Sequence, residues 1–189
     1  MKKILLIDNY DSFTYNLYQQ TQKLFNGIVE VCRNDAISID DIQMREYSGV
    51  ILSPGPKSPR DAGISKKIVE SFYDKLPLLG ICLGMQCINE VFGGTTKRSP
   101  LPVHGKSAKI IHQQTGLFKQ VAKEFYAARY HSLIVADIPP CLIIDSKTEE
   151  GIVMSVSHRD YPVFGLQFHP ESFLTQQGDL LIREFLNYV

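Results

Sequence analysis

Leu78-Leu79-Gly80-Ile81-Cys82-Leu83-Gly84-Met85-Gln86 decides how this chain is read. The apolar run from Leu76 to Ile81 reads as a buried strand, and Met85 to Phe92 carries a helical pattern. Between them stands a cysteine with a glycine two residues to either side. This is the thiol version of a strand-turn-helix elbow, in which a sharp turn lifts a nucleophile above the sheet edge. Small residues are required where neighbouring backbone passes close to such a turn. A thiol at the start of the following helix meets partial positive charge that favours thiolate. The next backbone N–H, that of Leu83, points toward a developing oxyanion. The plainer alternative is a buried strand cysteine with incidental glycines, because cysteine is among the most buried residue types. Cys32, Cys87 and Cys141 lack the flanking pattern, and that alternative stands for them.

Working outward toward the N-terminus, Lys3 to Ile7, Ile28 to Cys32 and Gly49 to Leu52 read as strands. A helix begins near Asp11-Ser12, whose side chains are natural acceptors for first-turn N–H groups. Ile39 to Glu46 is a short helical stretch, and a Pro/Gly-rich loop from Ser53 to Gly63 leads to a helix over Ile64 to Asp74. Strands alternating with helices predict an α/β fold with a mostly parallel central sheet flanked by helices. The C-terminal half adds β strands at Lys106 to His112, Glu124 to Ala128, Leu133 to Ala136, Leu142 to Ser146, Ile152 to His158 and Val163 to Phe168. An amphipathic helix over Gly178 to Tyr188 closes the chain. No compositional break separates the halves, so residues 1–189 are expected to form a single domain.

The strand Val163 to Phe168 runs into His169-Pro170-Glu171-Ser172. In extended backbone, residues two apart face the same way, and Pro170 disfavours a helical conformation at His169. His169 and Glu171 are therefore expected side by side, the carboxylate fixing the imidazole tautomer and stabilising its protonated form. Alone, the segment reads equally as a solvated turn. With the elbow cysteine it completes a Cys82-His169-Glu171 triad, and both motifs fall at the carboxyl ends of strands, where sites in parallel sheets collect.

Composition excludes other classes. Lys plus Arg and Asp plus Glu both total 20, so the basic excess of a nucleic-acid binder is missing. The apolar run 4–7 is too short for a signal-peptide core, and no stretch approaches the roughly 18 apolar residues of a membrane span. The cysteines lack CxxC spacing and, with the five histidines, show no compact ligand set, so no metal is expected. Reduced thiols and a cytoplasmic location follow as expectations.

These motifs resemble the class I, triad-type glutamine amidotransferases. The elbow and the segment Phe168 to Ser172 match that family's two main signatures. The start Asp8-Asn9-Tyr10-Asp11-Ser12-Phe13-Thr14-Tyr15-Asn16 is similar to its chorismate-dependent branch, the small subunits of anthranilate synthase and aminodeoxychorismate synthase. Ser53-Pro54-Gly55-Pro56 resembles the oxyanion loop, and Tyr130-His131-Ser132-Leu133 the glutamine-binding strand. The resemblance implies that Cys82 attacks the side-chain carbonyl of glutamine while His169, oriented by Glu171, moves the proton. It implies that Leu83 and the loop residues Gly55, Pro56 and Lys57 serve the oxyanion and substrate, and that Gln86, Ser132 and Leu133 hold the amino-acid end of glutamine. It also implies no cofactor in this chain, any magnesium belonging to the partner. Two positions depart from the branch: Met85 stands where His is usual, and Lys57 where Gly is usual.

The glutaminase takes up the whole domain, so a separate chorismate-binding synthase large subunit is expected to receive the ammonia, with anthranilate favoured over aminodeoxychorismate as the product. A stand-alone γ-glutamyl hydrolase of the same architecture uses the same Cys-His pair, and glutamate release from γ-glutamyl peptides would favour it. A non-enzymatic binding module is the third reading, opposed by the intact triad residues.

Overall fold

The apolar run 4–7 is buried on both sides: Ile4 and Leu6 pack into one hydrophobic layer, Leu5 and Ile7 into another. In the computed structural model, which describes residues 1–100 and 102–189, this run lies in strand β1 (Lys3–Asp8). The chain continues through α1 (Thr14–Leu24), β2 (Ile28–Arg33), α2 (Ile39–Met44), β3 (Gly49–Leu52), α3 (Ser65–Phe72), β4 (Leu78–Ile81) and α4 (Leu83–Val91). Next come β5 (Thr95–Arg98), β6 (Lys106–His112), β7 (Glu124–Arg129), β8 (Leu133–Ala136), β9 (Leu142–Thr148), β10 (Val153–His158), β11 (Val163–Leu166) and α5 (Gly178–Leu186).

One nine-stranded sheet has the order β2-β1-β3-β4-β11-β10-β9-β6-β7. Its first five strands pair in parallel and the rest antiparallel. The extra strands of the C-terminal half thus extend the same sheet. Leu17 of α1 and Leu181, Ile182 and Phe185 of α5 cover one face with Ile51, Leu79 and Ile81. Ile42 of α2, Ile68, Val69 and Phe72 of α3, and Met85 and Ile88 of α4 cover the other with Val50, Leu52 and Leu78.

Some boundaries move. The first helix starts at Thr14, and Asp11 acts before it, accepting the Phe13 N–H at 2.9 Å rather than capping the first turn. Strand β11 ends at Leu166, two residues short of Phe168. The polar stretch of β5 has no apolar alternation to announce it, and forms a separate two-stranded sheet with β8. Leu133 to Ala136 is therefore a strand, but outside the main sheet.

Candidate active site

The elbow is built by backbone crowding. Strand β4 lies between β3 and β11, and the Cys82 N–H donates to the Leu166 carbonyl at 2.7 Å. Cys82 itself has φ 50° and ψ −100°, a conformation that costs an L-residue about 1–3 kcal/mol and persists only where its surroundings impose it. A Cβ on Gly80 would lie 2.4 Å from the Gly84 carbonyl carbon, and one on Gly84 would lie 2.5 Å from the Leu52 oxygen. The two flanking glycines are thus places where backbone meets backbone. Cys82 occupies the N-cap position of α4 and is buried, 7% exposed.

His169 is held from three sides. Its N–H donates to the Ala128 oxygen at 3.0 Å, and its carbonyl accepts from Thr175 Oγ1 at 2.7 Å, while that hydroxyl accepts the Ala128 N–H at 2.9 Å. The chain then turns, with Ser172 N–H donating to the His169 oxygen at 3.3 Å. The extended backbone expected through His169 and Glu171 is therefore not what forms. A tight turn, clasped to the end of β7, sets the two side chains together instead. His169 Nδ1–H donates to Glu171 Oε1 at 2.6 Å, and the Glu171 side chain is 0% exposed. The ring sits edge-on to Tyr130 and Phe13, with centroids at 4.9 and 5.5 Å.

With Nδ1 committed to the carboxylate, Nε2 is the free nitrogen, buried and without a hydrogen-bond partner. Burial opposes a charged imidazole, yet the Glu171 carboxylate and, after it, the neighbouring Cys82 sulfur hold His169 well above its ordinary value. The group facing Cys82 is an imidazolium whose other nitrogen is fixed by Glu171.

The residues expected to bind substrate fall into two sets. Lys57, Ser132 and Leu133 line one cavity of about 500 Å³ with Ser58, Arg98, Ser99 and Pro102. Gly55 packs beneath Leu83: a Cβ there would lie 2.6 Å from Leu83 Cδ2 and 2.8 Å from the Asn9 oxygen. Pro56 and Lys57 are exposed, and Lys57 has φ 65°, the left-handed region glycine occupies without strain. Gln86 does not line that cavity. It is buried behind it, its Nε2 donating to the Leu133 oxygen at 3.3 Å.

Several residues were missed in the sequence. Arg129 Nε donates to His131 Nε2 at 3.1 Å, so His131 carries its proton on Nδ1 and gives it to the Leu133 oxygen at 2.9 Å. Burial and then the Arg129 charge push His131 down to about 4, which keeps it neutral as the brace of the Ser132-Leu133 turn. Gln167, fully buried, donates from Nε2 to Cys82 Sγ at 3.4 Å. It immediately precedes the Phe168 to Ser172 motif, but only the pairing of β11 with β4 brings it to the sulfur. The N-terminal motif is largely internal: Asp8 Oδ1 accepts from the Tyr10 N–H and the Thr14 hydroxyl at 2.8 Å each. Asn9 ties β1 to the oxyanion-type loop, its N–H donating to Ser53 Oγ at 2.8 Å and its Nδ2 to the Ser53 oxygen at 2.9 Å. Met85, the departure from the branch pattern, lies in the core under Gly165. Among the described residues no group of three or more His, Cys, Asp or Glu stands ready for a metal ion, and no helix is long and apolar enough to cross a membrane.

The family model for class-I glutamine amidotransferases matches residues 5–188. The chain is 44% identical over 187 residues to anthranilate synthase component 2 of Azospirillum brasilense, covering 97% of this chain and 95% of that one. It is 44% identical over 185 residues to the aminodeoxychorismate/anthranilate synthase component 2 of Bacillus subtilis, covering 97% and 95%. Some relatives are longer. At 43% identity over 190 residues the chain matches the bifunctional protein TrpGD of Thermotoga maritima, where 99% of this chain spans only 32% of that protein. Among solved structures, that of a GMP synthase component from Thermoplasma acidophilum superposes with a TM-score of 0.87 at 25% identity, covering 100% of this chain and 94% of that one. The chain belongs to the class-I glutamine amidotransferase family.

Proposed function

We propose that this chain is the ammonia-donating subunit of a two-part synthase, hydrolysing glutamine to glutamate with Cys82, His169 and Glu171. The observation that carries the reading is the buried His169, committed to Glu171 through Nδ1 and facing Cys82 with a free Nε2. An imidazolium in that place favours the Cys82 thiolate. The thiolate attacks the side-chain carbonyl carbon of glutamine, and the oxyanion is met by the Leu83 N–H and the Gly55 loop. One such donor is worth about 3–4 kcal/mol in the transition state. The C–N bond then breaks, His169 gives its proton to the leaving nitrogen, and ammonia departs from a thioester. Water attacks the thioester as His169 takes a proton from it, and the C–S bond breaks to release glutamate and restore the thiolate–imidazolium pair. The cavity bearing Lys57, Ser132 and Leu133 takes the amino-acid end of the substrate, and no cofactor enters these steps.

The ammonia passes to a chorismate-binding synthase subunit, which makes anthranilate and supplies whatever magnesium its own chemistry needs. Support comes from the component 2 relatives, whose lengths this chain nearly spans. Aminodeoxychorismate is the second reading, favoured by the Bacillus subtilis relative whose name carries both products. The test is co-purification with each large synthase chain, followed by a glutamine-dependent product assay with Cys82→Ser as control. Anthranilate from wild type but not from the variant supports the first reading. Glutamate release with no aminated product from either partner overturns the two-part assignment.

A further inference from the structure

Gln167 uses both ends of its amide inside the site. Nε2 donates to Cys82 Sγ at 3.4 Å, and Oε1 accepts from Gln86 Nε2 at 3.3 Å. Gln86 Nε2 also donates to the Leu133 oxygen, on the wall of the cavity that Ser132 shares. A bonded path therefore runs from that cavity through two amides to the sulfur. The sheet sets its last step: Leu166 pairs with Ile81 in parallel register, so the residues that follow, 167 and 82, stand side by side. The Gln167 N–H is fixed as well, donating to the Met154 oxygen at 2.8 Å.

We propose that Gln167 is a positioning residue for the nucleophile: its amide N–H holds the Cys82 sulfur and stabilises it as thiolate, and Gln86 sets the orientation of that amide. The inference rests on the reading of Cys82 as nucleophile. The physical reason lies in the asymmetry of a primary amide. It can turn either its oxygen or its NH₂ toward the sulfur, and an oxygen there repels a thiolate. Gln86 offers Gln167 only N–H donors from Nε2, so it captures Oε1 and leaves the NH₂ facing Cys82. A thiolate accepts hydrogen bonds far better than a thiol does, so the donor shifts the balance toward the charged form.

The experiment is the pH dependence of Cys82 alkylation by iodoacetamide, read on the Cys82 peptide by mass spectrometry so that Cys32, Cys87 and Cys141 do not interfere. It uses the full chain as wild type, Gln167→Met (similar length, no donor), Gln167→Glu (an acceptor at the sulfur) and Gln86→Met. The midpoint of the alkylation profile should move up by about one pH unit in Gln167→Met, further in Gln167→Glu, and less in Gln86→Met. In the complex with its synthase partner, Gln167→Met should lower kcat with KM nearly unchanged, while Gln86→Met also raises KM. A purely space-filling role predicts no movement of the midpoint. Profiles of both Gln167 variants that superpose on wild type, with unchanged circular dichroism, overturn the inference and leave the triad intact. A wild-type Cys82 that alkylates no faster than Cys141 overturns the nucleophile assignment and this inference with it.

Discussion

The parallel and antiparallel halves of the sheet are built to different specifications. In the parallel half, β3, β4 and β11 are buried at every position, and β1 at all but its first residue. In the antiparallel half, β9 and β6 alternate or expose long stretches, with Ile143 and Ile144 of β9 at 41% and 37% exposure. The first half is a core whose strand ends can hold a strained cysteine. The second supplies a strap: the end of β7 fixes His169 through Ala128, and the following residues place Tyr130, His131 and the Ser132-Leu133 turn. The nucleophile stands on the rigid half, and its base is clamped where the two halves meet.

The sharpest break in that division is at the chemistry. Cys82→Ala should lower glutamine hydrolysis roughly 10⁴-fold or more, because triad members act as a unit. Glu171→Gln should cost roughly 10²–10⁴-fold by losing the imidazolium's partner, both read by glutamate release in the complex. Comparable loss from substitution of the exposed Ile143 would dissolve the distinction between the halves.

Next come the cores. Leu6→Ala in the parallel half should cost about 2–5 kcal/mol in urea unfolding, and Ile143→Ala about 0.5 kcal/mol or less. Equal costs would mean that the antiparallel half is packed as tightly as the parallel one.

The antiparallel half and its strap also hold two titrating groups with opposite signs. Burial pushes Asp145 up to about 6 from 3.8, the Ser157 hydroxyl acting against the shift. Between those values the native state holds the extra proton, so this contribution to stability falls as pH rises from 3.8 to 6. His131, pushed down to about 4 from 6.5, leaves the extra proton on the unfolded chain, and its contribution rises across that window. Asp145→Asn should therefore steepen the gain in stability with pH between about 4 and 6, and His131→Gln should flatten or reverse it, each by on the order of 1–3 kcal/mol. Urea unfolding across that range checks both slopes, and like-signed changes would refute the assignment.

The smallest effect is expected at the exposed Lys57. Lys57→Gly exchanges left-handed strain for backbone entropy, so stability should move by less than about 1 kcal/mol, while the KM for glutamine reports any contact with substrate.

Much of this was legible in the residues. The continuous apolar runs of β1, β3 and β4 announced strands covered on both faces, because only a doubly buried strand can carry apolar residues at successive positions without exposing them. The glycines around Cys82 announced an elbow, because backbone crowding admits nothing larger there. The proximity of His169 and Glu171 was legible too, although for the wrong local reason: a turn clasped by Thr175 makes the pair, where extended backbone was expected. What local pattern does not carry is pairing between segments far apart in the chain. The parallel register of β11 on β4 brings Gln167 to Cys82, the bridge from Ala128 anchors His169, and β8 leaves the main sheet for the polar β5. A sequence determines which side chains want burial and where the backbone can bend. The tertiary structure alone decided which amide meets the sulfur, because a hydrogen bond between residues 85 positions apart depends on strand order and register.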